Sequence, residues 1–501
     1  PQTVGALARF GTPQIGFNYL GRVTAGDGGE WSLDAATAIG TGVHQDMPLR
    51  HVLAVTPVTE DGPHGPTLVA DWLWADGLLS DSDVEDVART WFRALEAFVE
   101  HAALPGAGGH SPSDFDLVDL TEPEIADLER ETGAVLDVLP LSPLQKGLLF
   151  QAEFDRDGAD VYTLQVVVDV EGALDVEAFR AAAEALLRRH PNLRASFHSR
   201  PSGDAVQVVP VSAALPWEEV DLTGMDPDDA ARELARLTDA DWVRRFDMAD
   251  PPLLRFTAVR LADDRFRLIW AVHHILVDGW SMPIFARELF TLTANGADLA
   301  ALPPVAPSRG YLEWLARQDG QAAREAWRTA LDGVGEATRI GPAERARVTE
   351  PPASLVVDLP EDFTRTLSSW ARARGLTLNT VMQGAWAILL GRLTGRQDVV
   401  FGAVHSGRPV DLPGMESMVG LFLNTLPVRV RLDPAAPVSD LLARVQDEQF
   451  DLAPHHFLGL AEVQQLTGIG ELFDTVVSFH NYPMDTDDLS GIIPGVRLTG
   501  A

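Results

Sequence analysis

The stretch HHILVDGWS, residues 273–281, combines residue types that could do chemistry. An imidazole titrates near neutral pH, so His274 could act as a general base or as a hydrogen-bond partner for a nucleophile. Gly279 carries no Cβ, so its backbone amide could approach a developing oxyanion closely. Asp278 could pair with an arginine and fix the turn, or it could act as a catalytic acid. All of these roles require the stretch to face a crevice.

Other residues nearby have simpler structural explanations. His273 is expected to orient the end of a strand rather than react, although it remains a candidate for the catalytic group. Trp280 is expected to pack, and Ser281 to cap the helix that follows. A second histidine pair, His455 and His456, lacks a following Asp-Gly, so we interpret it as surface or packing residues.

The hydrophobic pattern around the first stretch predicts a strand, a tight turn and a helix. Residues 253–260 and 265–273 flank the segment Leu-Ala-Asp-Asp and predict a β-hairpin that ends at the histidines. Asp278 and Gly279 form the turn, and a helix begins near Ser281. A strand end, a turn and a helix start present side chains and backbone N–H groups into a crevice.

Similar patterns predict elements on both sides of this region. Apolar and alternating runs predict strands at 161–170, 397–404, 424–432 and 472–483. Asp175 is placed to cap a helix with apolar residues at i, i+3, i+4 spacing, and residues 378–393 predict an apolar helix. Helices and strands therefore alternate through most of the chain.

The first hundred residues predict a strand followed by a helix. Residues 67–75 alternate, which places Trp72 and Trp74 on one core-facing side. Ser82 followed by Glu85 predicts a capping box at the start of the helix. The apolar stripe of this helix consists of Val84, Val87, Trp91, Leu95 and Phe98.

Breaks in composition divide the chain. Residues 104–114 are rich in Gly, Pro and Ser, and the charged stretch 120–133 predicts a short linker helix. A second, Pro-rich break lies at 302–310. With 501 residues the chain is too long for one compact core, so two or three units of ordinary domain size are expected.

Charge and composition exclude several classes of protein. A net charge of −34 argues against binding to nucleic acid or to an anionic membrane. The absence of cysteine excludes disulfides, thiolate metal sites and an acyl-cysteine intermediate. No cluster of ligands has convincing metal spacing, and no apolar run is long enough for a membrane span. We therefore expect a piece of a longer, cytoplasmic protein that binds no metal.

The spacing of His273, His274, Asp278 and Gly279 resembles the HHxxxDG motif of the condensation-domain superfamily of nonribosomal peptide synthetases. Five further segments resemble other motifs of this family in the same order: LPLSPLQKGLLF (139–150), RHPNLRASF (189–197), YLEW (311–314), GLFLNTLPVRV (420–430) and LFDTVVSFHNYP (472–483). Six ordered motifs make a chance match negligible. The resemblance covers roughly residues 137–501.

The resemblance implies an α/β fold, with two-layer α+β lobes like chloramphenicol acetyltransferase arranged as a V-shaped pseudo-dimer around a tunnel. Upstream donor and downstream acceptor carrier domains, each bearing a 4'-phosphopantetheine thioester, would dock at the two tunnel ends. An adenylation domain would adjoin in the same synthetase. The acceptor amine would attack the donor thioester and form an amide, and the domain itself would hold no cofactor.

The resemblance also implies roles for single residues. His274 would position or deprotonate the amine and support the tetrahedral intermediate. Asp278 would be structural, through an ion pair for which Arg189 is the first candidate and Arg194 the second. Candidates for lining the tunnel are Trp280, Ser281 and Asn424. For the last of these, hydrogen bonds to the backbone of a segment that bridges the lobes are an equal alternative.

The segment PQIGFNYLGR, residues 13–22, resembles the last motif of epimerization domains. An epimerization domain upstream implies a donor that ends in a D-residue, and the form of the opening motif at 139–150 fits this subtype. A second HHxxxDG segment is absent, so the chain is not expected to epimerize. The implied layout is an epimerization or condensation-like tail at 1–103, a linker at 104–136, an N-terminal lobe at 137–305 and a C-terminal lobe at 306–501.

The downstream domain ends about twenty residues after its last motif, so we expect its C-terminal lobe to lack a strand and a closing helix, leaving a sheet edge unpaired.

Three other functions compete with amide formation. A catalytically silent relative could recruit a tailoring oxygenase to carrier-bound peptide. Heterocyclization would need two spaced aspartates in place of the histidine pair, and a free-standing coenzyme A-dependent acyltransferase would not need the epimerization-like tail.

Overall fold

The computed structural model describes residues 13–23, 50–62, 65–104, 107–154, 160–341, 353–409, 411–480 and 489–500. The chain divides into two compact units, Pro1–Gly109 and His110–Ala501. The division falls inside the segment 104–136 that the sequence pattern predicts to be a linker. Both units combine helices with open β-sheets, as the predicted α/β class requires.

Among its described residues, the first unit contains one sheet and one long helix. Its elements are β1 (Ile15–Phe17), β2 (Arg22–Val23), β3 (Leu53–Gly62), β4 (Gly65–Trp74) and α1 (Asp81–Ala102). Strand β3 is central, because β1 and β2 pair with it in parallel and β4 pairs with it along its whole length in the antiparallel sense. Trp72 and Trp74 pack against a small core, as their alternation predicts.

Helix α1 begins two residues earlier than its sequence predicts. Ser80 is the N-cap: its hydroxyl accepts the N–H of Asp83, and its own N–H donates to the Asp83 carboxylate at 3.0 Å. The predicted box of Ser82 and Glu85 is therefore wrong, because an aspartate at the third helical position already closes the box. The predicted stripe also packs only in part, since Val84 is buried while Phe98 is 70% exposed.

The second unit contains three sheets and eleven α-helices among its described residues. Its strands are β5 (Val135–Pro140), β6 (Thr163–Gly172), β7 (Ser196–Ser199), β8 (Ala205–Pro210), β9 (Trp217–Asp221), β10 (Leu254–Ala262), β11 (Arg265–His273), β12 (Asp398–Ser406), β13 (Leu423–Arg431), β14 (Val476–Val477) and β15 (Val496–Gly500). Its helices are α2 (Glu122–Thr132), α3 (Pro143–Phe154), α4 (Val176–Arg189), α5 (Pro227–Val243), α6 (Ser281–Ala294), α7 (Arg309–Ala316), α8 (Gly320–Ala330), α9 (Glu361–Arg372), α10 (Leu378–Thr394), α11 (Val438–Leu452) and α12 (Leu460–Thr467).

The largest sheet has the strand order β15-β6-β11-β10-β9. Strands β10 and β11 form the predicted antiparallel hairpin, and β11 lies between β10 and β6. Both faces of β11 are covered, because Leu268, Trp270 and Val272 pack in one hydrophobic core and Ile269 packs in another, which explains why the run "LIWAV" before the histidines is apolar at every position. The sheet therefore holds the histidine end of β11 rigidly in the interior.

Two smaller sheets complete this unit, with orders β5-β8-β7 and β13-β12-β14. Helix α2, which the charged sequence predicts to be a linker helix, packs Ile125 and Leu128 onto strands β5 and β8. The predicted linker therefore joins the core of the second unit through its own apolar residues.

One hydrophobic core runs through most of the second unit and passes from one predicted lobe into the other. It joins residues of β6, β10, β11, α4 and α6 to Tyr311, Met418, Phe422 and Val496 from beyond residue 305. Strand β15 also pairs with β6, so the end of the chain completes the sheet that carries the histidines. Within the described residues, β14 pairs only with β12, and Val476 on it is half exposed.

Candidate active site

His273 is the last residue of β11, and its ring is fully buried. Its Nδ1 accepts the N–H of Ile275 at 3.1 Å, so the ring proton lies on Nε2, which faces a carboxylate oxygen of Asp160 at 3.2 Å. Both ring nitrogens are therefore engaged. The burial of this ring and its two partners agree with the predicted orienting role rather than with a catalytic role.

His274 leaves the strand and begins the turn. Its backbone N–H donates to the carbonyl of Tyr162 at 2.8 Å, which ends the β11 ladder, and the residue as a whole is half-buried. Burial lowers the pKa of His274, although the backbone of the turn and the charge of Asp278 act in the opposite direction. The imidazole is therefore neutral at pH 7 and keeps a lone pair to offer to a donor. Its Nδ1 is buried and makes no hydrogen bond of normal geometry.

The opening motif at 139–150 braces the same turn from the other side. Ser142 and Gln145 form a capping box at the start of α3, in which the Ser142 N–H donates to the Gln145 side-chain oxygen at 2.9 Å. The amide nitrogen of Gln145 then donates to the carbonyl of Ile275 at 3.1 Å. Sequence reasoning missed this contact, although the Ser-x-x-Gln spacing was a signal that the glutamine side chain is fixed.

Asp278 is fully buried and pairs with Arg408, not with Arg189 or Arg194. The Arg408 Nη2 lies 3.0 Å from one oxygen of Asp278, and the N–H of Phe422 donates to the other at 3.2 Å. The same guanidinium donates to the carbonyls of Met415 and Met418. Asp278 therefore connects Arg408 and Phe422 to the start of α6. The predicted pairing with Arg189 or Arg194 is wrong, because Arg408 is the arginine that lies beside the aspartate in the fold.

Ser281 belongs to the same set of contacts around Asp278. Its N–H donates to Asp278 at 2.8 Å, so the aspartate, and not the serine, caps the helix. Helix α6 begins at Ser281 itself, so the predicted N-cap is wrong by one residue. The serine hydroxyl lies 2.7 Å from Asp278 and 2.8 Å from the carbonyl of Gly420, and it accepts the N–H of Gly420. A fully buried side chain with these partners is assigned to packing rather than to a tunnel wall.

The two arginines of the RHPNLRASF segment have other partners. Arg189 forms a bidentate pair with Glu288 on α6, at 3.0 Å for both nitrogens. His190 contacts the same carboxylate at 2.6 Å. Arg194 is buried and donates to the backbone carbonyls of Leu187 and Pro210. Both arginines serve the packing around α4, which explains why neither reaches Asp278.

The remaining predicted tunnel residues are mostly engaged in packing. Asn424 is 6% exposed, and its amide donates to the carbonyls of His456 and Leu458 at 2.8 Å each. These contacts agree with the alternative interpretation of Asn424, in which its side chain forms hydrogen bonds to the backbone of a segment that bridges the lobes. Trp280 is half-buried and donates through its indole to the carbonyl of Glu416 at 3.2 Å. Gly279, between Asp278 and Trp280, is also only half-buried.

The second histidine pair contributes a packed imidazole. His456 lies against His405, with ring centroids 4.2 Å apart, and stacks on the buried Trp327. The Nε2 atoms of both histidines are buried without a hydrogen-bond partner. Burial lowers the pKa of His405 to about 4 and that of His456 to about 3. Both rings are therefore neutral in the fold.

This pair predicts a loss of stability in mild acid. The unfolded chain takes up protons below about pH 6.5, whereas the folded pair resists them until about pH 4 and pH 3. Stability is therefore complete above pH 6.5 and falls as pH decreases. On the order of 2 kcal/mol should be lost per histidine at pH 5. Urea unfolding measures the free energy of unfolding at pH 7 and pH 5. The difference between these two values should be smaller in His405→Phe and in His456→Phe than in the original chain.

The exposed His101 provides the control, because a His101→Phe substitution removes an unpacked ring. It should leave the difference between the two pH values unchanged. An unchanged difference in the His405→Phe and His456→Phe variants as well would contradict the prediction.

The described residues contain no helix that is both long and apolar enough to cross a bilayer. The Condensation domain family matches residues 135–492 of the chain. One linear gramicidin synthase protein from Brevibacillus parabrevis is 37% identical over 489 residues, which cover 95% of this chain and 6% of that protein. A second protein of the same synthase is 34% identical over 99% of this chain and 10% of its own length. The chain thus spans a small part of these relatives.

Solved structures agree in fold. The first condensation domain of the calcium-dependent antibiotic synthetase, in complex with a substrate analogue, aligns with a TM-score of 0.56 and 22% identity, over 72% of this chain and 84% of that one. The complex of the X-domain and OxyB from teicoplanin biosynthesis aligns with a TM-score of 0.60 and 22% identity, over 72% of this chain and 79% of that one. The predicted fold class is therefore confirmed. The chain belongs to the condensation-domain family, the amide-forming acyltransferase domains of nonribosomal peptide synthetases.

Proposed function

We propose that this chain joins a donor acyl or peptidyl thioester on an upstream carrier domain to the amine of an acceptor amino acid on a downstream carrier domain. The observation that carries the proposal is His274: a neutral imidazole on a half-buried residue at the end of β11 in a chain of the condensation family. The 4'-phosphopantetheine groups belong to the carriers and bring the substrates. An adenylation domain in the same synthetase would load the acceptor, in the cytoplasm.

The reaction needs little acid–base help. The amine nitrogen attacks the thioester carbonyl, the C–N bond forms, the C–S bond breaks, and the nitrogen loses a proton while the donor pantetheine leaves as a thiol. A proton on Nδ1 of His274 would point at the carbonyls of its own turn, which leaves Nε2 free to accept an N–H of the amine. The lowered pKa makes this ring a weaker base than free histidine. A positioning role therefore fits better than full deprotonation.

The surrounding residues would support this geometry. Asp278, through Arg408 and Ser281, fixes the helix start that follows the turn. Gly279 is half-buried between Asp278 and Trp280, and we propose that its N–H faces the oxyanion of the tetrahedral intermediate. In this proposal, His274 is the residue of the motif that contacts the amine, and Asp278 and Gly279 hold and complete the site around it.

A D-configured donor is part of the proposal. It is supported by the resemblance of residues 13–22 to the last motif of epimerization domains. The form of the opening motif at 139–150 fits the same subtype. The proposed layout keeps the segments 1–103, 104–136, 137–305 and 306–501.

Reconstitution tests the proposal. The chain would be mixed with a donor carrier loaded with a D- or L-aminoacyl thioester and with a loaded acceptor carrier, over a panel of enantiomer pairs. Mass spectrometry should find the dipeptide on the acceptor carrier, with the D-donor favoured by about tenfold or more. Equal use of both enantiomers would remove the D-donor assignment, and the absence of any dipeptide over the panel would contradict amide formation.

A catalytically silent module that recruits a tailoring enzyme is the second candidate. It follows from the family resemblance, since catalytically silent relatives recruit tailoring oxygenases, and the X-domain solved together with OxyB shares the fold. That likeness is at 22% identity and speaks for the fold alone. Retention of His274 in a half-buried position weighs against a silent module, and dipeptide formation in the reconstituted reaction would exclude it.

A further inference from the structure

Asp160 is a buried carboxylate that lies outside the six motifs. It precedes β6, and its side chain is 3% exposed. One carboxylate oxygen accepts the N–H of Tyr162 at 3.0 Å, and the other faces Nε2 of His273 at 3.2 Å. The guanidinium of Arg245 lies 3.8 Å from that second oxygen. Burial acts to raise the pKa of Asp160, but these donors lower it below its ordinary value, so the group is ionised.

The contacts of Asp160 lead to three consecutive residues of the motif. His273 is held directly through its ring. The backbone N–H of His274 is held by the carbonyl of Tyr162, whose own N–H is fixed by the carboxylate. The N–H of Ile275 is held by Nδ1 of His273, which can accept only because Asp160 keeps the ring proton on Nε2. The backbone on both sides of the His274 side chain therefore depends on one carboxylate.

We propose that Asp160 is a positioning residue for amide formation, acting on His274 through Tyr162 and His273. The inference rests on the proposed function of His274 and adds a residue that no motif contains. The guanidinium of Arg245, which lies 3.8 Å from the Asp160 carboxylate, also donates to the carbonyl of Ala152 near the end of α3. The carboxylate thus ties α3, β6 and β11 together directly behind the reacting imidazole.

Asparagine at this position separates the positioning role from simple packing. A carboxylate accepts hydrogen bonds on both oxygens, whereas an amide of the same size has one oxygen and one N–H₂ donor. In Asp160→Asn, the donor group must therefore face either the Tyr162 N–H or the His273 Nε2–H. A change of His273 tautomer would only move the conflict to the N–H of Ile275. The Asp160→Asn variant therefore keeps the size and shape of the side chain, but it loses one of the two hydrogen bonds that fix Tyr162 and His273.

The test compares Asp160→Asn with Asp241→Asn in the full chain. Asp241 is the comparison carboxylate: its side chain is 11% exposed, and it accepts hydrogen bonds from Arg255 at 2.5 Å and Gln165 at 2.7 Å rather than from residues 273–275. With loaded donor and acceptor carriers, Asp160→Asn should lower kcat by about tenfold to a hundredfold, because small misplacements of a positioning group have effects of that size. The KM for the acceptor carrier should change little. Asp241→Asn should keep kcat within about twofold of the original chain.

The double variant Asp160→Asn/His274→Ala distinguishes positioning from general damage. If Asp160 acts through His274, its substitution should lower the residual rate of His274→Ala no further. An equal fractional loss in both backgrounds, or equal losses in Asp160→Asn and Asp241→Asn, would overturn the inference. Full activity of His274→Ala alone would instead overturn the proposed function. The two failures are therefore distinguishable.

Discussion

Replacement of His274 by alanine should lower the rate of amide formation by about a hundredfold or more while the chain stays folded. Misplacement of a reacting group costs about 10²-fold in rate, and His274, the motif histidine that is not fully buried, is the residue proposed to orient the amine. The unfolding midpoint in urea should change little, since the ring of His274 packs less completely than that of His273. The rate is measured by mass spectrometry of the dipeptide on the acceptor carrier.

The pH profile gives an independent check on the same residue. The lowered pKa of His274 keeps the ring neutral to a lower pH than free histidine, so activity should persist at pH 6.5 and fall only in more acid solution. The acid limb assigned to this group should disappear from the residual activity of His274→Ala. His455→Ala is the matched control, because Trp327 binds its carbonyl and not its ring. A comparable loss of rate in His455→Ala would contradict a specific role for His274.

Removal of Asp278 should be the most destabilising single change in the site. Asp278→Ala leaves the Arg408 guanidinium and the N–H groups of Ser281 and Phe422 buried without their acceptor. Breaking a buried pair in this way costs about 3–5 kcal/mol, and we expect a loss of that order in the free energy of unfolding, together with loss of activity. Urea unfolding at pH 7 measures the change.

Two controls locate the effect in the contacts around Asp278. Asp362→Ala breaks an exposed pair with Arg365, with side chains 91% and 63% exposed, and should change stability by less than about 1 kcal/mol. A double-mutant cycle should give strong coupling between Asp278 and Arg408, and additive effects between Asp278 and Arg189, because Arg189 pairs with Glu288. Coupling of Asp278 to Arg189 instead of Arg408 would contradict the observed arrangement.

The local geometry of the site could be predicted well because short-range patterns determine it. The apolar run of β11, the hairpin turn and the Asp-Gly step each act over a few residues, so the sequence was sufficient to locate a strand, a turn and a helix. The capping predictions were less accurate. Ser82 and Ser281 were the wrong caps, since Ser80 and Asp83 form the box at the first helix and the Asp278 carboxylate accepts the N–H of Ser281 at the start of α6.

Long-range partners could not be predicted in the same way. Arg189, Arg194 and Arg408 carry the same group, and no property of the sequence near Asp278 distinguishes them. The choice depends on segment 407–422 crossing onto α6, at a sequence distance of 130 residues from the aspartate. Asp160 was missed for the same reason: 113 residues separate it from His273, and it lies in no recognisable pattern.

The sequence by itself determined the family, the α/β class and the position of two adjacent histidines at the end of a strand, because these follow from ordered motifs and from periodicity along the chain. Only the tertiary structure decided that Asp160 faces His273 and that Arg408 pairs with Asp278. Buried ion pairs are selected by which surfaces of the chain meet in the core, and that information is absent from any short stretch of residues.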